Sequence, residues 1–160
     1  MTNQYIIFSV AGTSYALPSH QVGHIEMVDE ITRVPNAPHF VDGVVFSRGE
    51  VVPALSLRAR FGFERAANDT RTRLLVVHSG GRAVGLVVDA AREFLTIPDA
   101  AIKPPNEALA GLSGRYLRGI ATLGGRMIVL LDLDALLAPD THTLAASGLA
   151  ISHPQEFSNG

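Results

Sequence analysis

The sequence predicts an all-β protein, built as two small five-stranded barrels of the SH3 type that pack face to face and carry a few short helices. Three observations lead to this prediction. Short apolar runs rich in Val, Ile and Leu recur along the chain, and Gly, Pro, Asn and Asp separate them. The second half of the chain repeats the pattern of the first. Short runs of this composition between turn residues favour strands over helices.

The candidate strands follow one another at short intervals. In chain order they are YIIFSV, YALP, GVVF, EVVPALSL, RLLVV, AVGLVVD, GIATL and RMIVLLDLD. Helix is expected only in three short segments, Ser19–His24, Asn106–Leu112 and Asp132–Leu137. The last of these begins with aspartate, a residue favoured at helix N-termini. The apolar pattern fades after this segment, so residues 139–160 are expected to form a C-terminal tail.

The two halves of the chain align with each other, which indicates an internal duplication. Tyr5–Leu17 aligns with Leu74–Leu86 at an offset of 69. Val41–Phe61 aligns with Leu117–Leu137 at an offset of 76, and glycines coincide in both alignments. Each half then contains the strands of one barrel.

The duplication also predicts the domain organisation. One domain is expected over residues 3–138, with barrel halves at about 3–70 and 71–138 between which strands could be exchanged. A barrel of about 65 residues has a marginal core of its own. The two barrels should therefore share apolar surface, and the groove between them is the natural binding surface.

Composition argues against several classes of function. The chain has 160 residues, a net charge of −2 and no cysteine. Without a basic excess, and with seven Phe, three Tyr and no Trp, nucleic acid is not an expected partner. The six histidines lack metal-ligand spacing, so neither metal nor cofactor is predicted. No apolar run reaches the ~18 residues of a spanning helix, and no leader pattern is evident, so a cytoplasmic location without membrane insertion is expected.

Several phrases of the sequence, taken in order, resemble the CheW-like domain of bacterial chemotaxis coupling proteins. They are YALPSHQVGHIEMV, ITRVPNAPHFVDGVV, SRGEVVPALSLRARFG, AVGLVVD, IKPPNEAL and YLRGIATLGGRMIVLLDLDALL, and they span about residues 3 to 138. The resemblance implies an interlocked pair of five-stranded barrels, in agreement with the duplication. It also implies a non-catalytic adaptor, recruited to membrane-associated receptor arrays. Its partners would be the cytoplasmic tips of methyl-accepting receptors and the regulatory domain of a CheA-type histidine kinase.

The resemblance also implies a receptor-binding groove, whereas the kinase-contacting residues are not predicted. Carried over position by position, the groove residues are Val22, His24, Ile25, Arg48, Gly49 and Gly85. The family phrase Asn-Leu-Arg-Gly appears here as Phe46-Ser47-Arg48-Gly49, and the family's Asp-Leu-Arg appears as Ser56-Leu57-Arg58. His24 stands where the family often has a glutamate that pairs with the groove arginine. The chain is therefore expected to be a divergent member.

Arg48 is the leading candidate for a contact residue. The hairpin turn needs Gly49 for backbone freedom. The equivalent turn of the second half, Gly124–Gly125, contains no arginine, so the turn does not require Arg48. With histidine at the glutamate position, two alternatives stay open. Either Glu26 or Glu50 pairs with Arg48, or Arg48 receives a carboxylate from a partner.

Two classes of function are compatible with a pair of barrels. The first is the adaptor described above, which acts through modest contacts that an array of copies strengthens. The second is a small-ligand-binding or enzymatic double barrel that uses the groove as a pocket. The sequence offers no convergent set of nucleophile, base and orienting residue, so no catalytic residue is predicted. The adaptor is the preferred hypothesis.

Overall fold

The computed structural model describes residues 2–105 and 114–139, and strands dominate these residues. The strands and α-helices are β1 Thr2–Val10, β2 Thr13–Pro18, β3 Val22–Met27, β4 Val41–Ser47, β5 Glu50–Ser56, α1 Leu57–Arg60, β6 Arg73–Ser79, β7 Arg82–Val88, β8 Ala90–Pro98, β9 Ile102–Lys103, β10 Leu117–Leu123, β11 Arg126–Leu131 and α2 Leu133–Leu137. The all-β class with short helices is confirmed. No helix in the described residues is long and apolar enough to cross a membrane.

Two sheets form, and each takes strands from both halves of the chain. The central sheet has the order β3-β6-β7-β5-β4, and the terminal sheet has the order β8-β1-β2-β11-β10-β9. The chain enters the terminal sheet through the β1–β2 hairpin, builds the central sheet, and then returns. The two units are therefore interlocked rather than placed one after the other.

The strand order repeats between the sheets, as an internal duplication requires. The β6–β7 hairpin of the central sheet pairs in parallel with β5, and the β1–β2 hairpin of the terminal sheet pairs in parallel with β11. In both sheets the parallel neighbour belongs to a second hairpin, β4–β5 or β10–β11. A short helix, α1 or α2, follows each of these second hairpins.

Three apolar cores hold the interlocked sheets together. A shared core joins residues of both sheets, among them Phe8, Leu17, Leu75 and Leu86. Two smaller cores fill the individual barrels: they consist of Tyr5, Ile7, Ala16, Ile97, Ala121, Ile128 and Leu130 in the terminal sheet, and of Val45, Val52, Ala54, Leu74 and Val76 in the central sheet. Burial of one large aliphatic side chain contributes about 1.5–3 kcal/mol. The shared core is the largest of the three, so the two barrels stabilise each other.

The local predictions for helices have different outcomes. Asp132–Leu137 is confirmed, because α2 forms there and the Asp132 carboxylate accepts a hydrogen bond from the Ala135 N–H at 3.3 Å. Ser19–His24 is wrong as a helix. A single 3-10 turn covers Ser19–Gln21, and β3 then begins because pairing with β6 satisfies its backbone. Asn106–Leu112 and residues 140–160 lie outside the described residues.

Candidate protein-interaction site

Three polar side chains bridge the open seam between β3 and β4, the two edge strands of the central sheet. His24 Nε2 lies 2.5 Å from Glu26 Oε2 and 3.2 Å from Ser47 Oγ, and the Ser47 hydroxyl donates to the same Glu26 oxygen. We call these three residues the seam cluster. β3 and β4 do not pair through their backbones, so the seam cluster closes the barrel with side-chain hydrogen bonds.

The seam cluster combines Ser, His and Glu, but it is not arranged for nucleophilic catalysis. A catalytic histidine uses one ring nitrogen for the hydroxyl and the other for the carboxylate. Here the single Nε2 atom of His24 faces both groups, and Ser47 donates directly to Glu26. Ser47 is also only 5% exposed. The arrangement orients the carboxylate and links two strands.

The seam cluster engages Glu26 and leaves Arg48 without a bonded partner. The hydrogen bond from Ser47 lowers the pKa of Glu26, and this effect is larger than that of burial, which raises the pKa. His24 and the charge of Arg48 lower the pKa further. Glu26 is therefore ionised at neutral pH. Within the described residues, the Arg48 side chain makes no hydrogen bond or ion pair, so pairing with Glu26 or Glu50 is not formed.

Arg48 occupies an unfavourable backbone conformation in the β4–β5 turn. Its φ is 48° and that of Gly49 is 83°, which matches the equivalent turn of the second half at 54° and 80°. A two-residue turn with two positive φ angles suits the twist of a hairpin but favours Asn or Gly at its first position. A non-glycine residue there costs about 1 kcal/mol. An arginine held in this place is not explained by the fold.

The structure brings some of the predicted groove residues together and separates others. His24 and Arg48 line one shallow hollow of about 270 Å³, together with Glu50 and His78, and Gly49 follows Arg48 in the exposed turn. The seam cluster members Glu26 and Ser47 were not among the predicted groove residues. Their role depends on a contact between strands that are far apart in sequence, so only the change from the family phrase at Ser47 marked the place.

The other three predicted groove residues face apolar surroundings. Val22 and Ile25 are half-buried against the shared core. Gly85 is buried, and a Cβ at this position would lie 2.6 Å from Leu74 Cδ1. Gly85 therefore permits close packing against Leu74 inside the central barrel.

A second polar link joins the two sheets where β7 leads into β8. Arg58 donates from Nε to Asp89 Oδ1 at 2.9 Å and from Nη2 to Oδ2 at 2.7 Å. The Ala11 N–H, in the β1–β2 turn, donates to Asp89 Oδ2 at 2.8 Å. Partial burial raises the pKa of Asp89, but the Arg58 guanidinium and the Ala11 N–H outweigh it and hold that pKa below its usual value.

Asp89 should make stability depend on pH in the acidic range. Its folded pKa is depressed, so its contribution is present above the unfolded value of about 3.9 and is lost as pH falls through the folded pKa. Asp89→Asn is expected to lower the free energy of unfolding by about 1 kcal/mol at pH 7, allowing for solvent screening, and by less at pH 3. Urea denaturation at several pH values measures this.

Glu93→Gln is a suitable control for Asp89→Asn, because it removes one exposed ion pair with Arg126 at 2.9 Å. Its effect on stability should be small at every pH. A deficit for Asp89→Asn that stays constant from pH 7 to pH 3 would show that the hydrogen-bonded carboxylate is not the source.

Comparison with known proteins identifies the family. The model of the CheW-like domain matches residues 4–140. The chain belongs to the CheW-like family. It is 33% identical to the chemotaxis protein CheW of Klebsiella aerogenes, over 94% of this chain and 90% of that protein. It is 32% identical to the protein FrzA of Myxococcus xanthus, over 84% of each chain.

A solved structure of a CheW protein has the same fold. The scaffolding protein TtCheW from Thermoanaerobacter tengcongensis superimposes with a TM-score of 0.79 at 28% identity, covering 88% of this chain and 95% of that one. Ser56, a departure from the CheW-like pattern, takes part in the local structure. Ser56 caps α1 by accepting a hydrogen bond from the Ala59 N–H at 3.1 Å, as Asp132 caps α2.

Proposed function

We propose that this CheW-like chain is a non-catalytic chemosensory adaptor that couples methyl-accepting receptors to a CheA-type histidine kinase through protein–protein contacts. Membership of the CheW-like family supports the chemotaxis role. The related TtCheW is described as a scaffolding protein. The two-barrel fold supplies a rigid platform for two different partners. Its place of action is then the cytoplasmic side of receptor arrays.

We further propose that the receptor tip docks at the hollow beside Arg48. The observation that carries this assignment is the arginine itself. It is exposed, it occupies a strained first position of a hairpin turn, and it lacks a bonded partner in the part of the chain that the structure describes. The seam cluster engages the Glu26 carboxylate in hydrogen bonds with His24 and Ser47. A carboxylate of the receptor would complete a charge-assisted, two-pronged hydrogen bond with the guanidinium.

Reversing the charge at Arg48 should weaken binding of the receptor without affecting binding of the kinase. Arg48→Glu is expected to reduce recovery of a methyl-accepting receptor about tenfold, as loss of a charge-assisted contact implies, while recovery of the kinase is unchanged. Affinity capture with the tagged protein, quantified by mass spectrometry, measures both. Arg118→Glu, which reverses an exposed arginine on β10, is the matched control. If the wild-type protein recovers neither kinase nor receptor, the adaptor function is wrong.

A second variant excludes a purely structural role for the arginine. Arg48→Gly removes the side chain but suits the positive φ, so the free energy of unfolding should stay equal or rise by up to about 1 kcal/mol. Receptor recovery should nevertheless fall as it does for Arg48→Glu. Full receptor recovery by Arg48→Gly would contradict the contact role and leave the kinase-coupling proposal intact.

A further inference from the structure

A β-bulge in β8 displaces an arginine from the regular ladder. Ala91 pairs with Phe8 and Glu93 pairs with Ile7, so Arg92 is the extra residue between them. A bulge bends its strand and changes the direction of the side chain. The same irregularity occurs at the equivalent place of the central sheet, in β3 between Val22 and His24.

The equivalent bulge shows that the fold does not require an arginine. In β3 the extra residue is Gly23. Arg92 is exposed and makes no side-chain hydrogen bond or ion pair with residues 2–105 or 114–139. Its neighbour Glu93 is engaged elsewhere, since it accepts a hydrogen bond from Arg126 at 2.9 Å. Arg92 therefore has no structural task that explains it.

Two further arginines gather beside Arg92. Arg73 is held in place, because its Nη1 donates to the carbonyl oxygens of Thr70 at 2.7 Å and Thr72 at 2.9 Å. Its remaining N–H groups donate to none of the described residues. Arg71 lies against Asp69: its side-chain Nη2 is 3.4 Å from Asp69 Oδ2, and its backbone N–H donates to Asp69 Oδ1 at 2.8 Å.

These three arginines, Arg71, Arg73 and Arg92, line a shallow cleft with a volume of about 320 Å³, together with Ala90 and Ala91. We call it the arginine cleft. Among the described residues that line it, none is acidic. The adjoining hollow is different, because it contains aspartates that pair with its arginines Arg58 and Arg65. The described lining of the arginine cleft therefore carries a surplus of positive charge, on a chain whose net charge is −2.

An exposed apolar side chain lies next to the arginine cleft. Met27 on β3 is the cross-strand partner of Arg73 and is 65% exposed. Side chains of directly opposed residues lie on the same face of a sheet, about 4.5–5.5 Å apart at Cβ. The surface thus offers guanidinium groups and a flexible thioether side by side. Methionine adapts readily to the shape of an apolar partner.

We propose that the arginine cleft, with Met27, docks an acidic segment of a partner protein that also carries an apolar side chain. Arginine recognises carboxylates through paired N–H donors, and the fixed Arg73 needs little further ordering to bind. Three arginines form too small a basic surface for nucleic acid, which needs a longer track. The arginine cleft shares no lining residue with the hollow beside Arg48, so this surface stands independently of the proposed receptor contact.

The test uses the whole chain and a defined probe. A short peptide of alternating Glu and Leu is titrated into the ¹⁵N-labelled protein, and the amide shifts are mapped. The largest shifts are expected in residues 71–73 and 90–92 and at Met27. Arg73→Gln combined with Arg92→Gln should raise the Kd about tenfold, whereas the control Arg118→Gln should leave it unchanged. Raising the salt concentration should weaken binding.

Several results would overturn the proposal. They are shifts spread evenly over all surface arginines, equal binding of the peptide with Gln in place of Glu, or tighter binding of pyrophosphate or single-stranded DNA at the same residues. Arg92→Gly guards against misfolding as an explanation, because it restores the residue of the equivalent bulge. This variant should give the amide spectrum of the folded protein, and its Kd for the peptide should be at least threefold higher. Unchanged affinity would refute the role of Arg92.

Discussion

Gly43→Ala is expected to lower the free energy of unfolding by about 3–5 kcal/mol, which is large for a single methyl group. Gly43 has φ 150°, a conformation that L-residues rarely adopt. An added Cβ would overlap the carbonyl oxygen of Thr32 and lie 2.8 Å from its carbonyl carbon. Thr32 cannot move away easily, because it exchanges two backbone hydrogen bonds of 2.8 Å with Val44. The added Cβ would therefore clash with backbone atoms of Thr32, and the backbone of neither residue can move easily.

Gly49→Ala separates the effect of the clash from that of φ. Gly49 has φ 83°, but no atom lies within 4 Å of a Cβ built there. Only backbone strain should count, so a loss of about 1–2 kcal/mol is expected. Chemical denaturation of both variants gives the comparison. If Gly43→Ala is no worse than Gly49→Ala, the close approach to Thr32 does not limit the fold.

The features that follow from local pattern could be predicted from the sequence. The apolar runs form strands of the two sheets, and the aligned glycines Gly12, Gly49, Gly81 and Gly125 lie in hairpin turns with positive φ. The duplication appears as a repeated strand order. These features depend on side-chain burial and on turn residues, and both can be recognised in short segments of the sequence.

Features that depend on long-range pairing were missed. β8, with the sequence AAREFLTIP, has few buried side chains, and pairing with β1 rather than burial makes it a strand. The helix α1 was missed for a local reason: it interrupts an apolar run where β5 ends, and Ser56 caps it by accepting a hydrogen bond from the Ala59 N–H. The predicted helix over 19–24 is replaced by a 3-10 turn and the start of β3, because β3 pairs with β6. Local propensity is a weak guide where backbone pairing supplies the partner.

The site was predictable only in part, for a related reason. Arg48 could be singled out because the repeat supplies a turn without arginine. The seam cluster joins β3 to β4 through Glu26 and Ser47, which are 21 positions apart in sequence, and no local pattern indicates that they are close in space. Arg92 could not be singled out from the sequence, because its position in a bulge depends on how β8 pairs with β1. The comparison of repeat with repeat is what identifies residues that the fold does not need.

The internal repeat also singles out Arg60, the last residue of α1, which is 6% exposed. Its repeat equivalent is Leu136, so the core accepts an apolar residue at the matching place. Arg60 donates from Nε to the carbonyl of Leu136 at 3.0 Å and from Nη2 to that of Ala138 at 2.5 Å. Its guanidinium carbon lies 4.1 Å from the ring centre of Phe40 and 5.0 Å from that of Tyr116.

Arg60→Met is therefore expected to lower the free energy of unfolding by about 2–4 kcal/mol, even though methionine fills much of the same volume. The carbonyl groups at the end of α2 would lose their donors, and the last turn of a helix leaves such groups without internal partners. Arg65→Met, at a side chain 48% exposed, is the matched control and should change stability by at most about 1 kcal/mol. Urea denaturation compares them. Equal losses would show that the hydrogen bonds from Arg60 to the end of α2 contribute no more to stability than the contacts of an exposed arginine.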